Sequence, residues 1–87
     1  MDKIVILASP IAPTQQIFVY HNGEITDHIG APVEHLNDVI PAIMETTGIY
    51  HIEISGHYAY TLGIQEQLIH TIRTEFDFIE DFTIVCI

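Results

Sequence analysis

The chain reads as an α/β domain: a five-stranded mixed sheet in the order 3-2-1-4-5, built β-β-β-α-β-α-β, with both helices on one face. Three observations predict this. Ile4-Val5-Ile6-Leu7-Ala8 is a continuous apolar run, the pattern of a central strand buried on both faces. Asn22-Gly23 lies between two strand-like runs and signals a two-residue hairpin, because both positions want φ > 0. Beyond Gly30, strand-like runs alternate with stretches of helical periodicity, which requires crossovers to parallel strands.

The first strand is the apolar run, ended by Ser9-Pro10-Ile11-Ala12-Pro13-Thr14. Gln16 to Tyr20 and Ile25 to Ile29 form the hairpin strands, closed by Gly30-Ala31-Pro32. A helix is expected from Val33 to Thr46, where Val33, Leu36, Val39 or Ile40, Ile43 and Met44 make one apolar stripe. Pro41 predicts either a kink or a shorter helix, capped by Asn37 or Asp38, with the proline in its first turn. Gly48 is the natural stop. Tyr50 to Ser55 is the fourth strand. A second helix spans Tyr60 to Glu75 with Ile64, Leu68, Ile69, Ile72 and Phe76 inward, and Phe82 to Ile87 is the last strand. The most apolar strand takes the centre. Two right-handed crossovers that move the same way across the sheet put both helices on one side of it.

The 87 residues make a single domain, 1–87, with no repeat, linker or low-complexity segment, and a stability of about 5–8 kcal/mol is typical of that size. At 48% hydrophobic residues the chain is not a disordered tail. It lacks an apolar run of about 20 residues, so no membrane association is expected. Asp2 and Lys3 follow Met1, and the apolar stretch Ile4 to Ala8 is too short for a secretory apolar segment, so the expected location is cytoplasmic. Cys86 is the only cysteine. It excludes an intramolecular disulfide or a thiolate zinc site within the chain, and reads as strand packing.

Twelve acids face only Lys3 and Arg73, for a formal net charge of −10. Phosphate binding needs clustered cations, so no direct nucleic-acid binding is expected. The charge suits solubility, a basic protein partner, or mimicry of nucleic acid that blocks a basic nucleic-acid-binding protein. Six histidines among these acids also suit a pH sensor. Gly48, Gly56 and Gly63 match no phosphate-binding loop, and there is no Gly-x-Ser-x-Gly elbow around Ser9 or Ser55. No cofactor is expected.

The strand His51-Ile52-Glu53-Ile54-Ser55 alternates cleanly and runs into Gly56-His57-Tyr58. His51, Glu53 and Ser55 share a face. Glu53 is a mid-strand carboxylate, and the strand beside it is expected to offer only Val5, Leu7 and Ser9. Ile52-Glu53-Ile54, a glycine turn, and Tyr60-Thr61-Leu62-Gly63-Ile64 at a helix start resemble the ribonuclease H-like fold, in particular the N-terminal core of RuvC-like resolvases. The topology extends the resemblance over nearly the whole chain. It implies a two-metal nuclease ancestry, in which carboxylates hold cations that activate water. Glu53 would correspond to the acid near the end of the fourth strand. The first-strand acid is missing from Ile4 to Ala8, and the given sequence ends at Ile87, before the helix that carries the third. The resemblance therefore implies a catalytically incomplete relative.

With both helices on one side, the other face of the sheet is expected to lie uncovered and to show Val5, Leu7, Phe18, Tyr20, Glu24, Thr26, His28, His51, Glu53 and Ser55. Such a mix of aromatic, aliphatic and polar groups suits a contact with a protein partner or with a second copy. Tyr58 and Tyr60 are further interface candidates at the sheet end. A metal alternative would use Glu53 and His51, with Ser55, His57 and His28 nearby. The expected function is a non-enzymatic acidic interaction or self-associating domain, homodimeric in one version, similar in style to those encoded by phages and mobile elements. The alternatives are a divergent RuvC-like metal-dependent nuclease that completes its acids across a dimer, and a piece of a larger split protein. Where Asp2 and Asp27 fall relative to Glu53 discriminates the nuclease reading.

Overall fold

The computed structural model describes residues 1–87. The strands are β1 (Lys3–Leu7), β2 (Gln15–His21), β3 (Glu24–Ala31), β4 (His51–Ser55) and β5 (Thr83–Cys86); the helices are α1 (Leu36–Thr47) and α2 (Tyr58–Glu75). The sheet order is β3-β2-β1-β4-β5. β2 is antiparallel to both β1 and β3, whereas β4 runs parallel to both β1 and β5. The sheet and its topology are those the sequence predicts.

Alternation decides which side is the core. Ile4 and Ile6 of β1, Ile17 and Val19 of β2, Ile52 and Ile54 of β4, and Ile84 of β5 are all buried. They meet Leu36, Ile40 and Met44 of α1 and Ile64, Leu68 and Ile72 of α2 in one cluster. Their spacing of about three or four residues gives each helix a single inward stripe. The result is two layers, 31 × 31 × 19 Å overall. No helix is long and apolar enough to cross a membrane.

Local chemistry explains the element boundaries. Asn22 (φ 53°) and Gly23 (φ 81°) make the hairpin turn. Asp2 clamps it: Oδ1 accepts from the Asn22 amide at 2.9 Å and Oδ2 from His21 Nδ1 at 2.8 Å. The shorter helix with Pro41 in its first turn does not form; α1 runs on through the proline. A short 3-10 turn over Val33–His35 precedes α1, and neither Asn37 nor Asp38 caps it. The His35 amide bonds the Pro32 carbonyl at 2.9 Å instead. Pro41 sits buried in the second turn of α1. Gly48 ends the helix in the left-handed region (φ 72°), its amide donating to the Met44 carbonyl at 2.8 Å.

α2 starts at Tyr58, two residues earlier than its apolar stripe indicates. The His57 carbonyl accepts from the amides of Tyr60 (3.0 Å) and Thr61 (2.9 Å), and the buried Thr61 hydroxyl donates to the Tyr58 carbonyl at 3.0 Å. Backbone bonds to His57 and the one Thr61 hydroxyl set this boundary, and hydrophobic periodicity carries no trace of it.

One irregularity changes the open face. The β2–β3 register shifts between Val19 and Tyr20, so that Val19 lies opposite Asp27 while Tyr20 lies opposite Ile25. Thr26 is the extra residue of a bulge, and its hydroxyl donates to the Val19 carbonyl at 3.3 Å. Glu24 pairs with His21 and so turns to the helix side. Ile25 takes the open-face position that uninterrupted alternation would assign to Glu24 and Thr26.

Candidate functional site: the open face of the sheet

Within residues 1–87 neither helix covers the second face. Its side chains form three rows across the strands, set by the register. The middle row is His28, Phe18, Val5, Glu53 and Val85. Towards the start of β1 lie Ile25, Tyr20 and Lys3, with His51 and Thr83 beyond. Towards its end lie Gly30, Gln16, Leu7 and Ser55.

The aromatic half is ordered by its own contacts. Phe18 and His28 stack with ring centroids 4.3 Å apart and planes 11° from parallel. His28 Nε2 is 2.6 Å from Gln16 Oε1, a bond that fixes the ring. The Lys3 ammonium sits 5.5 Å from the Tyr20 ring centroid, within cation–π range. Leu7 is 44% exposed and Ile25 53%. For side chains of this size on one face, that is a large apolar outlay to water.

The polar half centres on Glu53. Lys3 Nζ donates to Oε1 at 3.1 Å, and His51 Nε2 lies 3.1 Å from Oε2. The Glu53 side chain is only 17% exposed. Its carboxyl is held below the ordinary value of 4.5, chiefly by the His51 bond; burial opposes this, and Lys3 adds to it. Lys3 is the residue the sequence reading missed. Its signal was present: β1 parallel to β4 puts Lys3 on the face of His51 and Glu53, two positions before Val5. No family model matches the chain, and no curated protein or solved structure matches it either.

Both carboxylate oxygens of Glu53 are thus engaged by a cation and an imidazole. Asp2 is bound to the hairpin turn. Asp27 faces the helix side opposite Val19, its Oδ1 accepting from the His28 amide at 2.9 Å. Neither joins Glu53, and no group of three or more His, Cys, Asp or Glu side chains is placed to hold a metal ion. Within one chain, Glu53 and His51 therefore form an ion-paired cluster with Lys3, a weak starting point for holding a divalent cation against its hydration. His57 is at the N-cap position of α2. Tyr58 and Tyr60 are in the first turn of α2, off the strand positions. Tyr58 is 67% exposed, whereas Tyr60 packs against the core.

The Glu53 cluster makes a pH prediction. A carboxyl depressed in the folded state contributes stability that is fully present above its unfolded value and lost as pH falls through the folded one. Glu53→Gln is expected to cost about 1 kcal/mol at neutral pH. That deficit should shrink towards zero as pH drops through and below 4.5. Thermal melts of both proteins across the acid range check it; a pH-independent gap would contradict the ion-paired geometry.

Proposed function

We propose that this chain is a non-enzymatic protein-docking domain that uses the open sheet face as its binding surface, on a ribonuclease H-like core. The single observation that carries the docking reading is the state of that face. It is aromatic and aliphatic over β1 to β3, and its only acid is paired with the Lys3 ammonium and bonded to the His51 ring. A face of this kind can leave water without stranding a charge. The core assignment is supported by the 3-2-1-4-5 order with two same-face crossovers and by Glu53 on the fourth strand. The same resemblance supports a role without catalysis: the neighbouring strand presents Lys3, Val5 and Leu7 where a nuclease of that kind carries an acid.

Two experiments test the reading. Affinity capture with tagged wild type and tagged Val5→Glu, followed by mass spectrometry, should recover chains with the former, untagged copies of this one included, that the latter loses. Val5 is outside the core, so matched melting curves show that the variant is folded. Equal recovery by both would contradict docking through this face. Cleavage of DNA or RNA in Mg²⁺ or Mn²⁺ that Glu53→Gln abolishes would overturn the non-enzymatic half and restore the nuclease reading.

A further inference from the structure

We infer that the occupant of the open face is a second copy of this chain, stacked sheet against sheet; this rests on the docking reading above. Charge placement is the first argument. Of the twelve acids, Glu53 alone occupies a strand position on this face, and Lys3 offsets it at 3.1 Å. The others lie on α1 and its leading turn, on α2, in the loop between α2 and β5, at the hairpin clamp, and on the helix side of β3. A basic partner would be drawn to those surfaces. The open face is near neutral and suits an occupant that is near neutral too, as its own copy is. Stacking two copies places the acidic layers on the outside of the pair. Two sheets then separate them, beyond a Debye length of about 8–10 Å at physiological salt, so their repulsion is screened there and grows as salt is removed.

Symmetry and size agree. β1 is the middle strand of five, and Val5 is the middle of its middle row. A two-fold axis through that point lays the face on itself, the isologous arrangement of most homodimers. Five strands about 4.8 Å apart, with about five residues each, span roughly 24 by 17 Å. With side-chain relief, that is about 600 Å² of accessible surface per copy, so a pair buries about 1,200 Å², the lower end of specific interfaces.

The net charge also fixes the sign of the salt effect. Two copies at −10 each repel through their outer acids, so salt strengthens their association. An acidic surface on a basic partner does the reverse. Sedimentation equilibrium of the wild type should give a mass of about twice 9.8 kDa at high concentration. Its dissociation constant should fall about threefold or more from about 0.05 to about 0.5 M NaCl. Leu7→Glu and Ile25→Glu, on different strands and both exposed in the single chain, should sediment as monomers with unchanged circular dichroism, and should melt like the wild type once it is diluted below its dissociation constant.

A wild type that stays monomeric at millimolar concentration overturns the second-copy inference. So does a dimer that both variants preserve or that salt dissociates. Fluorescence of bis-ANS, an apolar dye, separates this failure from that of the docking reading. A monomer that binds the dye, and loses binding on Leu7→Glu, retains a docking face for a different partner. A monomer that binds none loses both.

Discussion

Gly56→Ala is expected to lower stability by about 3–4 kcal/mol, the largest effect of any single added methyl in this chain. Gly56 has φ 152°, a region L-residues rarely adopt. A Cβ there would drive into the Ala8 carbonyl oxygen, with Thr61 Cγ2 at 3.2 Å on another side. The carbonyl is held on both sides: the Ala8 amide bonds the Ser55 carbonyl at 2.8 Å, and the Ser9 amide of the same peptide unit bonds Gln15 Oε1. The close approach is what lets the chain leave β4 and turn at once into α2. A loss of that size lowers the melting temperature of a domain this small by roughly 15 °C or more. Gly63→Ala is the matched control. Gly63 is in the interior of α2, and a Cβ there meets nothing within 4 Å. It should raise stability by about 0.5–1 kcal/mol. Equal melting of the two variants would refute the strained turn.

Gln15→Leu should cost about 2–3 kcal/mol although it places an apolar side chain at a buried position. Gln15 is 1% exposed. Its amide pairs with the backbone of Ser9 from both sides: Oε1 accepts from the Ser9 amide, and Nε2 donates to the Ser9 carbonyl at 2.9 Å. The side chain thus does what a neighbouring strand would do where β1 has ended and the Pro10–Pro13 segment begins. Leucine leaves both backbone groups without partners in a half-buried place. A drop in the urea midpoint, with faster exchange of the Ser9 amide, is the expected result. A variant as stable as wild type would mean that water satisfies Ser9 equally well.

These two sites show where sequence reasoning reached and where it stopped. The sheet order was legible because its signals are local and strong. Ile4 to Ala8 reads as central by composition, Asn22-Gly23 as a hairpin by backbone preference, and the stripes of α1 and α2 as crossovers by period. Gly56 and Gln15 act through contacts with Ala8 and Ser9, which only the folded chain brings together. The bulge at Thr26 is another such case. Nothing in Glu24-Ile25-Thr26 distinguishes an uninterrupted strand from one with an extra residue, yet the bulge exchanges Glu24 for Ile25 on the open face. The face thereby becomes more apolar and less charged than alternation alone predicts. Lys3 lies between these cases. Its pairing with Glu53 follows from the parallel β1–β4 register once the sheet order is known.

The combined effect of Ile25 and Lys3 is to replace an exposed acidic strip by a neutral, largely apolar surface, and that surface is the centre of the account. Small-angle X-ray scattering of the wild type at high concentration tests it most directly. A single chain measures 31 × 31 × 19 Å, and only the short dimension is normal to the sheet. Stacking through the open face doubles that dimension to about 38 Å and gives a nearly isotropic particle, since packed sheets lie about 10 Å apart. That shape is the expected result, with a longest dimension little greater than the monomer's. Pairing through the β3 or β5 edge would instead give a plate about 60 Å long with its thickness unchanged, and that profile would contradict it.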